Sequence, residues 1–386
     1  MSFSFFGCWN SGHCKDNPFH YVSSHIKGND SEFVIAAGDN YYPEKNKVKG
    51  KGKDKGSKTK KFDETNFDSG FVCLVDINKP TYVLMGNHDV QYEDALYDSK
   101  NKKLDKCHII GKQLTKADLG KLSFETRYLI TADALILFLN TSLYTSDKNE
   151  MLDCFQQYKV GSKQPSAETI DEFIDEEYEF FKELIRSTKV DSKTHKLIIV
   201  GHHPIISVRD KKTTECLLND GLRLLEELYS DFNSEENYYL CADVHQYQTG
   251  EVTMKNGVKI IQHVVGTGGT TLDDVKCNDK KNHNLGNGLV SYEMTVCDNK
   301  SHGYLLYADG EFTFIPVNTN PDTSYDVVPN KGMLKAISRT NQRSRVSRRT
   351  ISVSPMVKST RRKQTSRRTG TRRTQKSWSK KPTSRR

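Results

Sequence analysis

Phe33-Val34-Ile35-Ala36-Ala37 runs straight into Gly38-Asp39-Asn40-Tyr41-Tyr42. An apolar run of this length reads as a strand buried on both faces, and the abrupt change to polar residues marks its carboxyl end. The same join recurs three times. Thr81 to Met85 meets Gly86-Asn87-His88-Asp89, Lys196 to Val200 meets Gly201-His202-His203-Pro204, and Tyr238 to Ala242 meets Asp243-Val244-His245. In layered α/β proteins, side chains just past the carboxyl ends of the strands meet at one edge of the sheet. Carboxylate, amide, imidazole and phenol donors are therefore expected together, a set that can hold two metal ions about 3.5 Å apart for phosphoryl transfer.

Working outward, Glu168 to Ser187 places Ile170, Phe173, Ile174, Tyr178, Phe181, Leu184 and Ile185 close to a 3.6-residue period, and Cys216 to Phe232 repeats the pattern. Each reads as an amphipathic helix leading into a polar-tipped strand. Ser2 to Phe6 reads as the first strand. The runs Val258 to Val265, Gly288 to Val296, Gly303 to Tyr307 and Glu311 to Val317 predict a mostly antiparallel, β-rich second layer. The expected class is a layered α/β (α+β) fold.

Two segments break this pattern. Pro43 to Lys61 holds nine lysines against Glu44 and Asp54, with no apolar period, and reads as a flexible insertion beside Tyr42, either a solvated spacer or a substrate clamp. From Ser338 to Arg386 there are 18 Lys and Arg and no acid, so the preceding residues hold 40 of the 58 basic residues and all 49 acidic ones. The net charge of +9 thus combines an acidic body with a strongly basic end. The expected organisation is one domain over 1–320, a linker over 321–337 and a disordered Arg/Ser-rich tail over 338–386, too poor in apolar residues to fold alone. Such a tail suits nucleic acid or another polyanion, its own acidic body or nuclear targeting. Hydroxyls beside Arg348-Arg349 and Arg367-Arg368 suit basophilic kinases, whose phosphates would cancel tail charge.

The nine cysteines are scattered and lack a CxxC pair, so neither a disulfide framework nor a structural zinc ribbon is expected, and a reducing cytoplasm or nucleus fits best. No apolar stretch reaches signal-peptide or membrane-span length.

Taken together, Phe6-Gly7-Cys8-Trp9-Asn10, Asn17-Pro18-Phe19-His20, Ala37 to Tyr42, Gly86 to Asp89, Val200 to Pro204 and Leu240 to Gln248 resemble the small, tartrate-resistant purple acid phosphatases of the calcineurin-like metallophosphoesterase superfamily. The resemblance covers about the first 317 residues. It implies a two-sheet β-sandwich flanked by helices, with two metal ions at the sheet edge: iron and zinc, with iron or manganese as alternatives in the second position. It makes Asp39 the bridging carboxylate, Tyr42 a phenolate on Fe(III), His245 an imidazole ligand of the first metal, and Asn87 and His202 ligands of the second. His88 becomes the non-ligand histidine that contacts the phosphoryl group or protonates the leaving alkoxide.

Two ligand positions depart from that pattern. Cys8 stands where the family has an aspartate, and Asp243 where it has the first histidine of Gly-His-Asp-His. Cys8 reads as a soft metal ligand or as a buried small hydrophobe. Asp243 reads as an oxygen ligand or a strand-end cap. His203 faces the substrate phosphate or is structural, and the remaining histidines carry no spacing signal. The leading expectation is hydrolysis of phosphomonoesters by metal-activated hydroxide. The alternative is a catalytically weakened member of the same fold, tethered to nucleic acid by its tail.

Overall fold

A computed structural model describes residues 1–46, 59–90, 95–145, 148–158, 169–188, 190–209, 212–215, 217, 219–273, 282–284 and 290–319. The tail (338–386), the linker (321–337) and the middle of the Lys-rich insertion (47–58) lie outside them. The first half of the chain carries β1 (Phe3–Phe6), α1 (Phe19–Gly28), β2 (Phe33–Ala37), β3 (Glu44–Asn46), β4 (Thr59–Lys61), α2 (Glu64–Asp76), β5 (Thr81–Leu84) and β6 (Ala95–Tyr97). Then come α3 (His108–Leu114), β7 (Leu122–Ser123), β8 (Tyr128–Ile130), β9 (Ala134–Phe138), α4 (Lys148–Tyr158) and α5 (Ile170–Ser187). The second half holds β10 (Lys196–Val200), β11 (Ile206–Arg209), β12 (Lys212–Glu215), α6 (Asn219–Phe232), β13 (Asn237–Cys241), β14 (Tyr247–Met254) and β15 (Lys259–Val265). It closes with β16 (Asn282–Asn284), β17 (Val290–Asp298), β18 (His302–Ala308) and β19 (Glu311–Val317).

Two large sheets form, in the orders β19-β18-β1-β2-β5-β7 and β16-β17-β14-β15-β13-β10-β9-β8. Alternation along each strand divides the core. On β2, Phe33, Ile35 and Ala37 join Ile198, Val200 and Leu240 of the second sheet in one cluster, while Val34 and Ala36 turn to the other. Strands buried on both faces explain why their sequences are continuously apolar. The helices cover the outer faces. Asp63 caps α2 by accepting from the Thr65 and Asn66 amides, and Thr169 with Glu172 forms a reciprocal capping box at α5, each cap contributing about 1 kcal/mol.

Parallel pairing positions the site. In the first sheet β1, β2 and β5 are parallel neighbours; in the second, β9, β10, β13 and β15 are. Within each sheet these carboxyl ends therefore share one edge.

Three expectations change. The C-terminal strands do not make a layer of their own: β14 to β17 extend the second sheet, and β18 and β19 extend the first. The ends of the Lys-rich insertion are paired, β3 with β4, and β4 with β6. Disulfides also exist, against the expectation from spacing: Cys14 bonds Cys73 and Cys107 bonds Cys154, and Cys297 is disulfide-bonded as well. Partners 59 and 47 residues apart leave no local signature, although closing loops of that size stabilises a fold by about 4 kcal/mol each in the chain-entropy account.

Candidate metal centre

Asp39 sits at the middle of the strand ends and is fully buried. Its Oδ2 accepts the Tyr42 hydroxyl at 2.7 Å and lies 3.9 Å from Cys8 Sγ; its Oδ1 accepts the His88 amide at 3.0 Å and lies 3.3 Å from His202 Nε2. One carboxylate therefore faces two donor groups, one with each oxygen. Cys8, Asp39 and His245 present ligand atoms within 4.8 Å of one another, and so do His202, His203 and Asp243. The Tyr42 hydroxyl is 3.2 Å from His245 Nε2, and Asn87 Oδ1 is 3.1 Å from His202 Nε2. All the residues singled out from the sequence thus come together. A third donor group, Cys14, His20 and Cys73, stands apart, with its two sulfurs bonded to each other.

The backbone bends sharply to make this arrangement. Cys8, Asp39 and Asp243 have φ of 56°, 52° and 56°, left-handed values that cost side-chain-bearing residues about 1–3 kcal/mol unless the surroundings impose them. Gly86 lets the loops close: a Cβ there would lie 2.3 Å from Asp39 Oδ1.

Hydrogen bonds to the far sides of the rings orient the histidines. His202 Nδ1 lies 2.6 Å from the Ala37 carbonyl, and His245 Nδ1 lies 3.1 Å from the Thr271 carbonyl. A carbonyl only accepts, so Nδ1 of each ring carries a proton and Nε2 is the nitrogen turned toward the centre, the orientation of a metal-ligating imidazole.

Charge shifts follow from burial and neighbours. Burial pushes the Cys8 thiol up, and the Asp39 carboxylate adds to this. Burial also raises Tyr42 well above the usual phenol range, with Asp39 adding to it. For Asp39, burial works upward, but His202 and His88 together hold it well below the usual carboxylate value. Burial opposes protonation of His202, yet Asp39 overrides it and lifts the imidazole to about 9. His88, tilted at 44° against Tyr42 with ring centres 4.7 Å apart, is pushed down by burial, which Asp39 opposes and Lys60 on β4 reinforces.

Sequence reasoning missed the supporting residues. Asn40 donates to the Leu84 carbonyl, Asp89 and Gln113, tying the β2 loop to the β5 loop. Asp89 in turn accepts from the Gly86 and Asn40 amides and from Gln113. Asp273 accepts the His245 amide at 3.1 Å and pairs with Arg209 at 3.3 Å. Thr141, past the end of β9, accepts the amides of His202 and His203. The Ala134 to Phe138 run followed by polar Asn140-Thr141 carried the same strand-then-polar signal as the four quoted clusters.

Parallel strands thus deliver oxygen, nitrogen and sulfur donors to one sheet edge. The chain belongs to the calcineurin-like phosphoesterase family, whose model matches residues 3–247. Purple acid phosphatase PPD1 from yellow lupin (Lupinus luteus) seeds is similar at a TM-score of 0.47 and 12% identity, over 82% of this chain and 51% of that one. PhoD is similar at 0.46 and 13%, over 79% and 63%. A phosphatase of Mycoplasma pneumoniae is similar at 0.27 and 12%, over 68% and 70%. The chain thus spans about half the length of the lupin protein and under two thirds of PhoD. No curated protein sequence matches it.

Proposed function

We propose that the chain hydrolyses phosphomonoesters at a two-metal centre held by Cys8, Asp39, Tyr42 and His245 on one side and by Asp39, Asn87, His202 and Asp243 on the other. The observation that carries this reading is the division of Asp39, whose two oxygens face separate donor groups. The donors suit cations. A buried carboxylate, a buried thiol and a second carboxylate need positive charge to be stable together, and the mix of sulfur, nitrogen and oxygen favours iron or zinc over magnesium or calcium. When bound, the ions supply Lewis acidity to the phosphoryl group and make water a competent nucleophile.

The protein's own residues complete the work. The His88 amide fixes Asp39, which leaves the imidazole to meet a phosphoryl oxygen or to pass its proton to the leaving alkoxide. His203 faces the phosphate. Asp273 holds the backbone of His245 and the Arg209 guanidinium in one place, so that the ligand cannot swing away. Metal analysis of the purified protein together with turnover of an aryl phosphate tests the reading.

A second reading has one observation in its favour. Cys8 and Asp243 replace family ligands, which fits a member with reduced turnover that binds nucleic acid through 338–386. The paired cysteines bear on compartment, since disulfides persist where thiols are kept oxidised. The argument for a reducing compartment therefore loses its basis. Among the described residues, no helix is long and apolar enough to cross a membrane.

A further inference from the structure

Cys14 and Cys73 are joined by a disulfide, and His20 stands beside them: one of its ring nitrogens and the two sulfurs lie within 4.8 Å of one another. The three come from different places in the chain. Cys14 opens a turn (Cys14–Asp16) after β1, His20 is the second residue of α1, and Cys73 lies in α2. Both cysteines line an open surface cavity of about 600 Å³ with His13, Glu64, Asp68 and Ser69, and Cys73 is half-buried, so the pair is reachable from solvent. Lysines already hold the two carboxylates, Lys112 on Glu64 and Lys116 on Asp68, which leaves two sulfurs and an imidazole as the donor set. The other described disulfide differs. Among the described residues, no histidine or carboxylate joins Cys107 and Cys154 in such a group, and their Cα atoms are 5.2 Å apart, against 6.4 Å for Cys14 and Cys73.

Two thiolates and an imidazole suit zinc, which binds sulfur at about 2.3 Å and so holds two sulfurs about 3.8 Å apart. The wide Cα spacing of Cys14 and Cys73 leaves room to reach that separation by side-chain rotation. We propose that Cys14, His20 and Cys73 form a separate metal site that takes one zinc ion when their disulfide is reduced, with water in the fourth position. A dithiol supplies the two electrons: its own sulfurs bond to each other, the Cys14–Cys73 bond breaks, and each cysteine sulfur gains a proton. Zinc then displaces both protons, and His20 enters as a neutral ring with a lone pair on one nitrogen. The joint between α1 and α2 is thus closed by a disulfide in oxidising surroundings and by zinc in reducing ones. That joint bears on the sheet edge, because Trp9, next to Cys8, packs between Phe19 of α1 and Phe71 of α2 with ring centres 4.7 and 5.3 Å away. The inference is independent of the phosphoesterase reading, since no ligand of the sheet-edge centre takes part.

The test uses the full chain, with zinc counted by elemental analysis before and after reduction by a water-soluble phosphine, since a dithiol in excess would itself compete for zinc. Reduction should add one ion per chain. Ions at the sheet-edge centre are counted in both states and cancel, so the difference is readable whether that centre is filled or empty. Cobalt(II) in place of zinc should give an additional thiolate-to-metal absorption band on reduction. The added ion and the added band should both be missing from Cys14→Ser. In His20→Ala, which keeps both cysteines and so the disulfide-bonded fold, the added ion should bind at least about 10-fold more weakly, the scale on which even an outer partner of a metal ligand matters. No added ion on reduction, an added ion that survives in Cys14→Ser, or equal affinity in His20→Ala overturns the proposal.

Discussion

The Tyr42 hydroxyl donates to Asp39 Oδ2 across 2.7 Å, and the same oxygen of tyrosine lies 3.2 Å from His245 Nε2. A phenol so placed, half-buried and raised well above its usual range, ionises only when a cation takes the place of its proton. Iron-loaded protein should therefore show a visible charge-transfer band that disappears in Tyr42→Phe, followed by absorption spectroscopy. A band that survives the substitution removes Tyr42 from the ligand set.

Cys8 tests the other donor of that group. Its left-handed φ of 56° is one that aspartate adopts more readily than most residues, so the backbone accepts Cys8→Asp. The substitution should move metal preference from zinc toward manganese, measured by competition between the two ions, because an oxygen donor replaces a soft sulfur. An unchanged preference means that Cys8 is a buried thiol and not a ligand.

His263 offers a pH prediction away from the centre. It stacks between Tyr238 and Tyr247, its Nε2 has no hydrogen-bond partner among the described residues, and burial pushes its pKa to about 3. The fold holds it neutral, while the unfolded chain takes up a proton below about pH 6.5. Stability from this residue is therefore complete above pH 6.5 and declines as pH falls toward 3. Linkage gives a loss of about 2 kcal/mol between pH 7 and 5. Denaturant titrations of His263→Phe should lack that part of the slope; parallel curves would show that the ring is protonated in the fold.

Deleting 338–386 should leave the melting temperature and any phosphatase turnover unchanged, since the segment's only aromatic residue is Trp378. Affinity for DNA or RNA should collapse. In the intact chain that affinity should fall with salt at a log–log slope of about −0.9 per phosphate contacted on duplex DNA. Unchanged affinity after deletion contradicts the tether, and increased turnover points to a segment that covers the centre.

Much of the donor cluster was legible because buried parallel strands are continuously apolar, so each polar cluster stands out where its run stops. Asp39, His202 and His245 were singled out that way, and the structure brings them to one place. What escaped notice depends on neighbours distant in sequence: Thr141 matters through the amides of His202 and His203, Asp273 through His245, and the disulfides through residues 59 and 47 positions apart. The left-handed backbone at Cys8, Asp39 and Asp243 has no compositional mark either, because the tertiary contacts impose it.

The division of Asp39 between two donor groups is the centre of the account, and metal content per chain in Asp39→Asn against His88→Ala tests it most directly. Elemental analysis should find two ions in the unaltered protein, at least one lost in Asp39→Asn, and both kept in His88→Ala, which should lose turnover alone. Two ions retained in Asp39→Asn would contradict the bridging role and the two-metal reading built on it.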